Sequence, residues 1–121
     1  MTESEVRKAI SALRAARLLL QEGFTDEAVS SSYYAMFHIA RAMLIADNVS
    51  LPKTHAGLIA AFSERYVKSG QLSRELGRYL NNLEDARLIA DYTSDTIDAS
   101  LAADCLRKAE IFLSAEVIAK L

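Results

Sequence analysis

At 121 residues the chain has the size of a single domain, long enough to bury a core of its own. With 51% apolar and 25% charged residues, four glycines and one proline, it is not a disordered or low-complexity chain. A net charge of −2 excludes a general nucleic-acid coat protein, while six basic residues against four acidic ones between Lys53 and Arg87 leave room for a local basic site.

Helical periodicity runs almost throughout, and strand alternation is absent. A first helix is expected from about Glu3 to Gln21, with Val6, Ile10, Leu13, Arg17 and Leu20 on one face and Gly23 as its terminator. Thr25 is then a natural cap for a second helix, about Asp26 to Ala46, with Asp26 and Glu27 in the first turn. This helix is apolar on most sides (Ala28, Val29, Ala35, Met36, Phe37, Ile39, Ala40, Met43, Leu44), which predicts a central position, buried by neighbours or by a second subunit. Asp47 to Lys53 forms a loop closed by Pro52, and Thr54 caps a short third helix from about His55 to Lys68 that stops at Ser69-Gly70. A fourth helix begins at Ser73, carries Leu76, Tyr79, Leu80, Leu83 and Ala90, and ends near Asp91. After Thr93-Ser94-Asp95 a fifth is expected from about Ile97 to Lys120, presenting Leu101, Cys105, Ala109, Phe112 and Ala115 or Glu116. Short connections favour antiparallel neighbours, so the expected fold is all-α: one domain over residues 1–121, an up-and-down four-helix bundle with one additional short helix.

The lone Cys105 cannot form an internal disulfide and sits among apolar neighbours, as a core thiol in a reducing compartment would. No run reaches the roughly 18 apolar residues of a membrane span, and the acidic start lacks a signal-peptide pattern. A cytoplasmic protein that does not enter a membrane is expected.

The most informative segment is Arg87-Leu88-Ile89-Ala90-Asp91-Tyr92. The stripe Leu76, Leu80, Leu83, Arg87, Ala90 turns Arg87 inward or into an interface, where its charge requires a carboxylate, phosphate or hydroxyl partner. Asp91, one turn on, supplies either an ordinary exposed ion pair or part of a site. Tyr34, His38 and Arg41 fall at i, i+4 and i+7, a polar seam on the apolar second helix. That seam is either a hydrogen-bond ladder reaching solvent or another subunit, or a proton donor and phosphate-binding group facing Arg87. Lys53 and His55 flank a helix start, where free amides favour an anion, although a plain cap with His55 against a neighbouring helix fits as well. Neither histidine has an acidic residue at i±3 or i±4, so no metal is expected, and no glycine-rich phosphate loop or nucleophile turn is present to bind a cofactor.

Four segments in order give the chain a family likeness. They are Ser31-Ser32-Tyr33-Tyr34-Ala35-Met36-Phe37-His38-Ile39-Ala40-Arg41-Ala42, Lys53-Thr54-His55-Ala56-Gly57-Leu58, Phe62 through Tyr66-Val67-Lys68-Ser69-Gly70, and Arg87 to Tyr92. Over most of its length the chain resembles a small stand-alone HEPN protein (higher eukaryotes and prokaryotes nucleotide-binding domain). The resemblance implies a four-helix bundle with a short extra helix, commonly a homodimer with paired sites at a shared cleft. It implies one of two activities within two-gene toxin–antitoxin modules. The first is metal-independent cleavage of RNA, or RNA or nucleotide binding by a descendant of such an enzyme. The second is a non-catalytic dimeric module that docks a small nucleotidyltransferase. The family's ribonuclease motif is Arg, four to six residues, then His. Arg87 matches its arginine, but positions 92 to 94 are Tyr92, Thr93 and Ser94, so the expected histidine is missing. On the ribonuclease reading Arg87 meets the phosphate, Asp91 orients it, and His38, His55 and Tyr92 are the proton-transfer candidates, with Lys53, His55, Tyr34 and Arg41 as phosphate- or RNA-binding groups. In some relatives a tyrosine just behind the motif receives a nucleotide from the partner enzyme, and Tyr92 holds the matching place.

Overall fold

The computed structural model describes residues 1–114 and 121. The described residues are helical, with no strand: α1 (Thr2–Gln21), α2 (Thr25–Ala46), α3 (His55–Phe62), a π-helical turn (Ser63–Val67), α4 (Arg74–Tyr92) and α5 (Ala99–Phe112). Four long helices and one short one make up the all-α architecture that the periodicity predicts. α2 is the centre, packed against α1, α4, α5 and α3.

Local chemistry sets the boundaries. Gly23, at φ +85°, takes the left-handed conformation that ends α1, and Phe24 N–H returns to Leu19 O (2.9 Å). Thr25 is not the cap of α2; it is the first helical residue, behind Phe24, which offers no capping oxygen. The caps of α3, α4 and α5 are side-chain ones. Thr54 accepts from Gly57 N–H, Ser73 from Leu76 N–H and Asp98 from Leu101 N–H, each satisfying an orphan amide of the first turn. Asp98 starts α5 at Ala99, two residues later than expected. Ile97 instead lies buried ahead of the helix, its N–H donated to Asp26 Oδ1 (2.9 Å) on α2. The expected positions Ala115 and Glu116 lie outside the described residues. The third helix does not run as one α-helix to Lys68: after Phe62 it loosens into the π turn, which buries Tyr66 and lets its hydroxyl donate to Asp47 (2.6 Å).

α1 is rotated from the face its large apolar residues suggest. Glu5, Ala9, Leu13 and Ala16 point inward, while Ile10 is 47% exposed and Arg17 reaches across the surface to Glu110 of α5 (3.0 Å). Small alanines let α1 approach α2 closely, and the inward Glu5 has partners waiting there. The core closes around Tyr33, Met36, Met43, Phe62, Tyr66, Leu80, Leu83 and Phe112. Cys105 belongs to it, its thiol pushed up to about 11 by burial and so inert as a nucleophile.

Candidate functional site

Arg87 is 5% exposed, on the inner face of α4. Its first partner is Glu84, one turn earlier: Nε and Nη2 both donate to Glu84 Oε1, at 2.9 and 2.5 Å. Asp91, the partner expected from the sequence, is farther off, its Oδ2 3.6 Å from Nη1, and is itself held by the Ser30 hydroxyl of α2. Three tyrosine rings bracket the guanidinium: Tyr33 at 4.9 Å, Tyr34 at 5.8 Å and Tyr92 at 5.9 Å. Burial opposes the positive charge, but hydrogen bonds to Glu84 and its charge outweigh that and raise the pKa, so Arg87 is a permanent cation.

α2 lays an aromatic floor beside it. Tyr33, Tyr34 and Phe37 contact one another, and His55, brought in by the start of α3, stacks on Phe37 at 4.4 Å. His55 Nδ1 lies 2.8 Å from the Tyr33 hydroxyl, which also reaches Glu84 Oε2 (3.3 Å). A chain His55–Tyr33–Glu84–Arg87 thus links α3, α2 and α4. Burial, and then the nearby charges of Arg87 and Arg41, lower the His55 pKa against the opposing pull of Glu84, so the ring is a neutral imidazole near pH 7. Burial and then Glu84 raise the pKa of Tyr33, which keeps its hydroxyl protonated.

Next to Phe37, His38 and Arg41 share one carboxylate from α1. His38 Nδ1 is 2.8 Å from Glu5 Oε2, and Arg41 Nε donates to Glu5 Oε1 (3.0 Å). Glu5 is 6% exposed. Burial works to raise its pKa, but the bonds from His38 and Arg41 prevail and lower it, so the carboxylate is ionised.

Of the residues singled out from the sequence, Arg87, Asp91, Tyr92, Tyr34 and His55 therefore meet around one aromatic floor. His38 and Arg41 border it from the Glu5 side. Lys53 is exposed in the loop before α3, and no contact ties it to the cluster. Sequence reasoning missed Glu84, Tyr33, Phe37 and Glu5. Glu84 was signalled by its i−3 spacing from Arg87; the others depend on packing between helices. No three His, Cys, Asp or Glu side chains among the described residues gather as a metal-binding group.

A model of the HEPN domain matches residues 2–119. The chain belongs to the HEPN family. Curated relatives include a UPF0332 protein of Thermotoga maritima, 37% identical over 90% of this chain and 83% of its own length. Another UPF0332 protein, from Gloeobacter violaceus, is 44% identical over 70% of this chain and 67% of its own. A Methanocaldococcus jannaschii protein named as a candidate toxin is 36% identical over 84% of this chain and 75% of its own. Arg87 stands near the end of α4, with no histidine in the turn behind it. The imidazole linked to it, through Tyr33 and Glu84, is that of His55 on α3, 32 positions earlier in the chain.

Proposed function

We propose that this chain is a toxin-type HEPN protein that cleaves RNA without a metal, using Arg87 and His55 at the aromatic floor of α2. The observation that carries this reading is the His55–Tyr33–Glu84–Arg87 chain, because it puts a neutral imidazole and a fixed cation in one place despite the missing motif histidine. The fold type and the toxin designation of relatives add support. In the reaction, the ribose 2′-hydroxyl gives its proton to His55 as its oxygen attacks phosphorus. Arg87, with Nε and Nη2 occupied by Glu84, offers Nη1 to the phosphate oxygens where negative charge grows. Tyr34 and Phe37 supply faces on which an unpaired base stacks.

The test is cleavage of a mixed-sequence RNA in EDTA by the wild type, Arg87→Ala and His55→Ala. Loss in both variants, with helical content retained, is the expected result. A wild type that cleaves no RNA overturns it.

One observation favours a second reading, that of a non-catalytic module docking a nucleotidyltransferase. Arg87 is almost enclosed and already has two carboxylates, so its charge is largely spent within the chain. Tyr92, by contrast, is 73% exposed beside it and open to a partner enzyme's active site. On this reading the wild type is inert on RNA yet co-purifies with the partner, and a nucleotide transferred to Tyr92 appears as added mass on the peptide that contains it.

A further inference from the structure

The Glu5–His38–Arg41 group lies outside the chain of contacts just described, and its central member comes from a part of the sequence with no motif. Glu5 occupies a core position in the first turns of α1 where an apolar side chain would pack without the cost of desolvating a charge. It spends both carboxylate oxygens on α2, one on His38 Nδ1 (2.8 Å) and one on Arg41 Nε (3.0 Å). An ionised carboxylate only accepts hydrogen bonds, so the nitrogen facing it must carry the proton. Arg41 in turn keeps the carboxylate ionised.

We propose that Glu5 is a positioning residue that fixes His38 with a permanent proton on Nδ1, making Nε2 the atom that gains and loses a proton at the cleft. His38 and His55 lie against the same two rings, Phe37 at 6.0 and 4.4 Å and Tyr34 at 6.4 and 5.9 Å between centroids. Two imidazoles on one aromatic floor divide the two proton transfers of RNA cleavage. As the O2′–P bond forms, the 2′-hydroxyl proton goes to His55. As the P–O5′ bond breaks, the leaving oxygen takes the Nε2 proton of a His38 ring that is protonated on both nitrogens, giving a 2′,3′-cyclic phosphate and a 5′-hydroxyl end and leaving the Nδ1–H ring that Glu5 holds. No electron is gained or lost. The chemical role rests on the ribonuclease reading; the tautomer does not.

The experiment is a nitrogen-15 NMR spectrum of the imidazole nitrogens, taken at a pH where the rings are neutral, together with RNA cleavage kinetics, on the wild type and Glu5→Met. The expected wild-type result is a protonated Nδ1 and a bare Nε2 on His38. In Glu5→Met the proton moves to Nε2, kcat falls about 10–100-fold and KM stays within about twofold. A wild-type His38 with its neutral proton on Nε2 overturns the proposal, as does a Glu5→Met protein that loses the tautomer and cleaves unchanged. The wild-type spectrum decides the tautomer by itself if Glu5→Met does not fold. A wild type with the expected tautomer and no cleavage supports the positioning by Glu5 and overturns the ribonuclease reading alone.

Discussion

Arg87 is held in place by a carboxylate one turn before it, and removing the guanidinium leaves that carboxylate with only the Tyr33 hydroxyl as a hydrogen-bond donor. Arg87→Ala leaves Glu84, itself only 14% exposed, without its partner, and a loss of about 3 kcal/mol is expected. Urea unfolding checks it as a fall in midpoint at unchanged slope, and Glu84→Gln added to Arg87→Ala restores part of the loss. His55 gives the site a pH dependence whose sign follows from its depressed pKa. The folded state binds its proton less readily than the unfolded chain, so stability falls as pH drops below the ordinary value of 6.5 and levels off once the folded-state pKa is passed. Glu5 adds a second loss further down: its folded pKa lies below 4.5, so the stability it contributes is present above that value and disappears as the carboxylate is protonated. Denaturation midpoints between pH 8 and pH 3 are expected to show two separate declines, and His55→Ala removes the upper one.

The helices position these groups through small, checkable features of their ends. Gly57 is the clearest. A Cβ there meets Pro52 Cβ and Thr54 Oγ1, both at 2.9 Å, and Thr54 Oγ1 is the oxygen that caps α3. Gly57→Ala therefore pushes on the loop and the cap together, and a destabilisation of roughly 1–3 kcal/mol is expected by thermal or urea melting. His55 shifts with the cap, so its NMR signals change more than those of His38. Helix existence and order were legible in the sequence because apolar spacing and capping residues are local. The orientation of α1 was not: bulky Val6 and Ile10 outweigh alanines in a periodicity count, yet Ala9 and Ala16 allow the closest packing. The Tyr34, His38, Arg41 seam and inward Arg87 were legible for the same local reason. Glu5 was not, because an acid in a first helical turn is already accounted for by the helix dipole. Tyr33 was hidden within an apolar helix, and nothing in the spacing joins it to His55 of a different helix.

At the scale of the molecule, the apolar surplus of α2 is taken up by its own neighbours, so it no longer argues for a second subunit. Among the described residues, the exposed apolar ones nearest the site are Leu88 and Ile89 on the outer face of α4 and Tyr92 at its end beside Arg87. A homodimer that joins two clefts there would cover them. Light scattering at micromolar concentration is expected to give twice the chain mass, and Ile89→Glu half of that; a monomeric wild type removes the shared cleft. The bonds Glu5–His38 and Tyr33–Glu84 also have a consequence in time. A ribosome delivers the chain from its first residue, so both imidazoles and the rings of the aromatic floor leave it with α1, α2 and α3, and Arg87 with its partner Glu84 follows only with α4. A protein that attacks RNA would be harmless to its own message until that helix docks. Its danger would then begin only once the second half of the chain is in place.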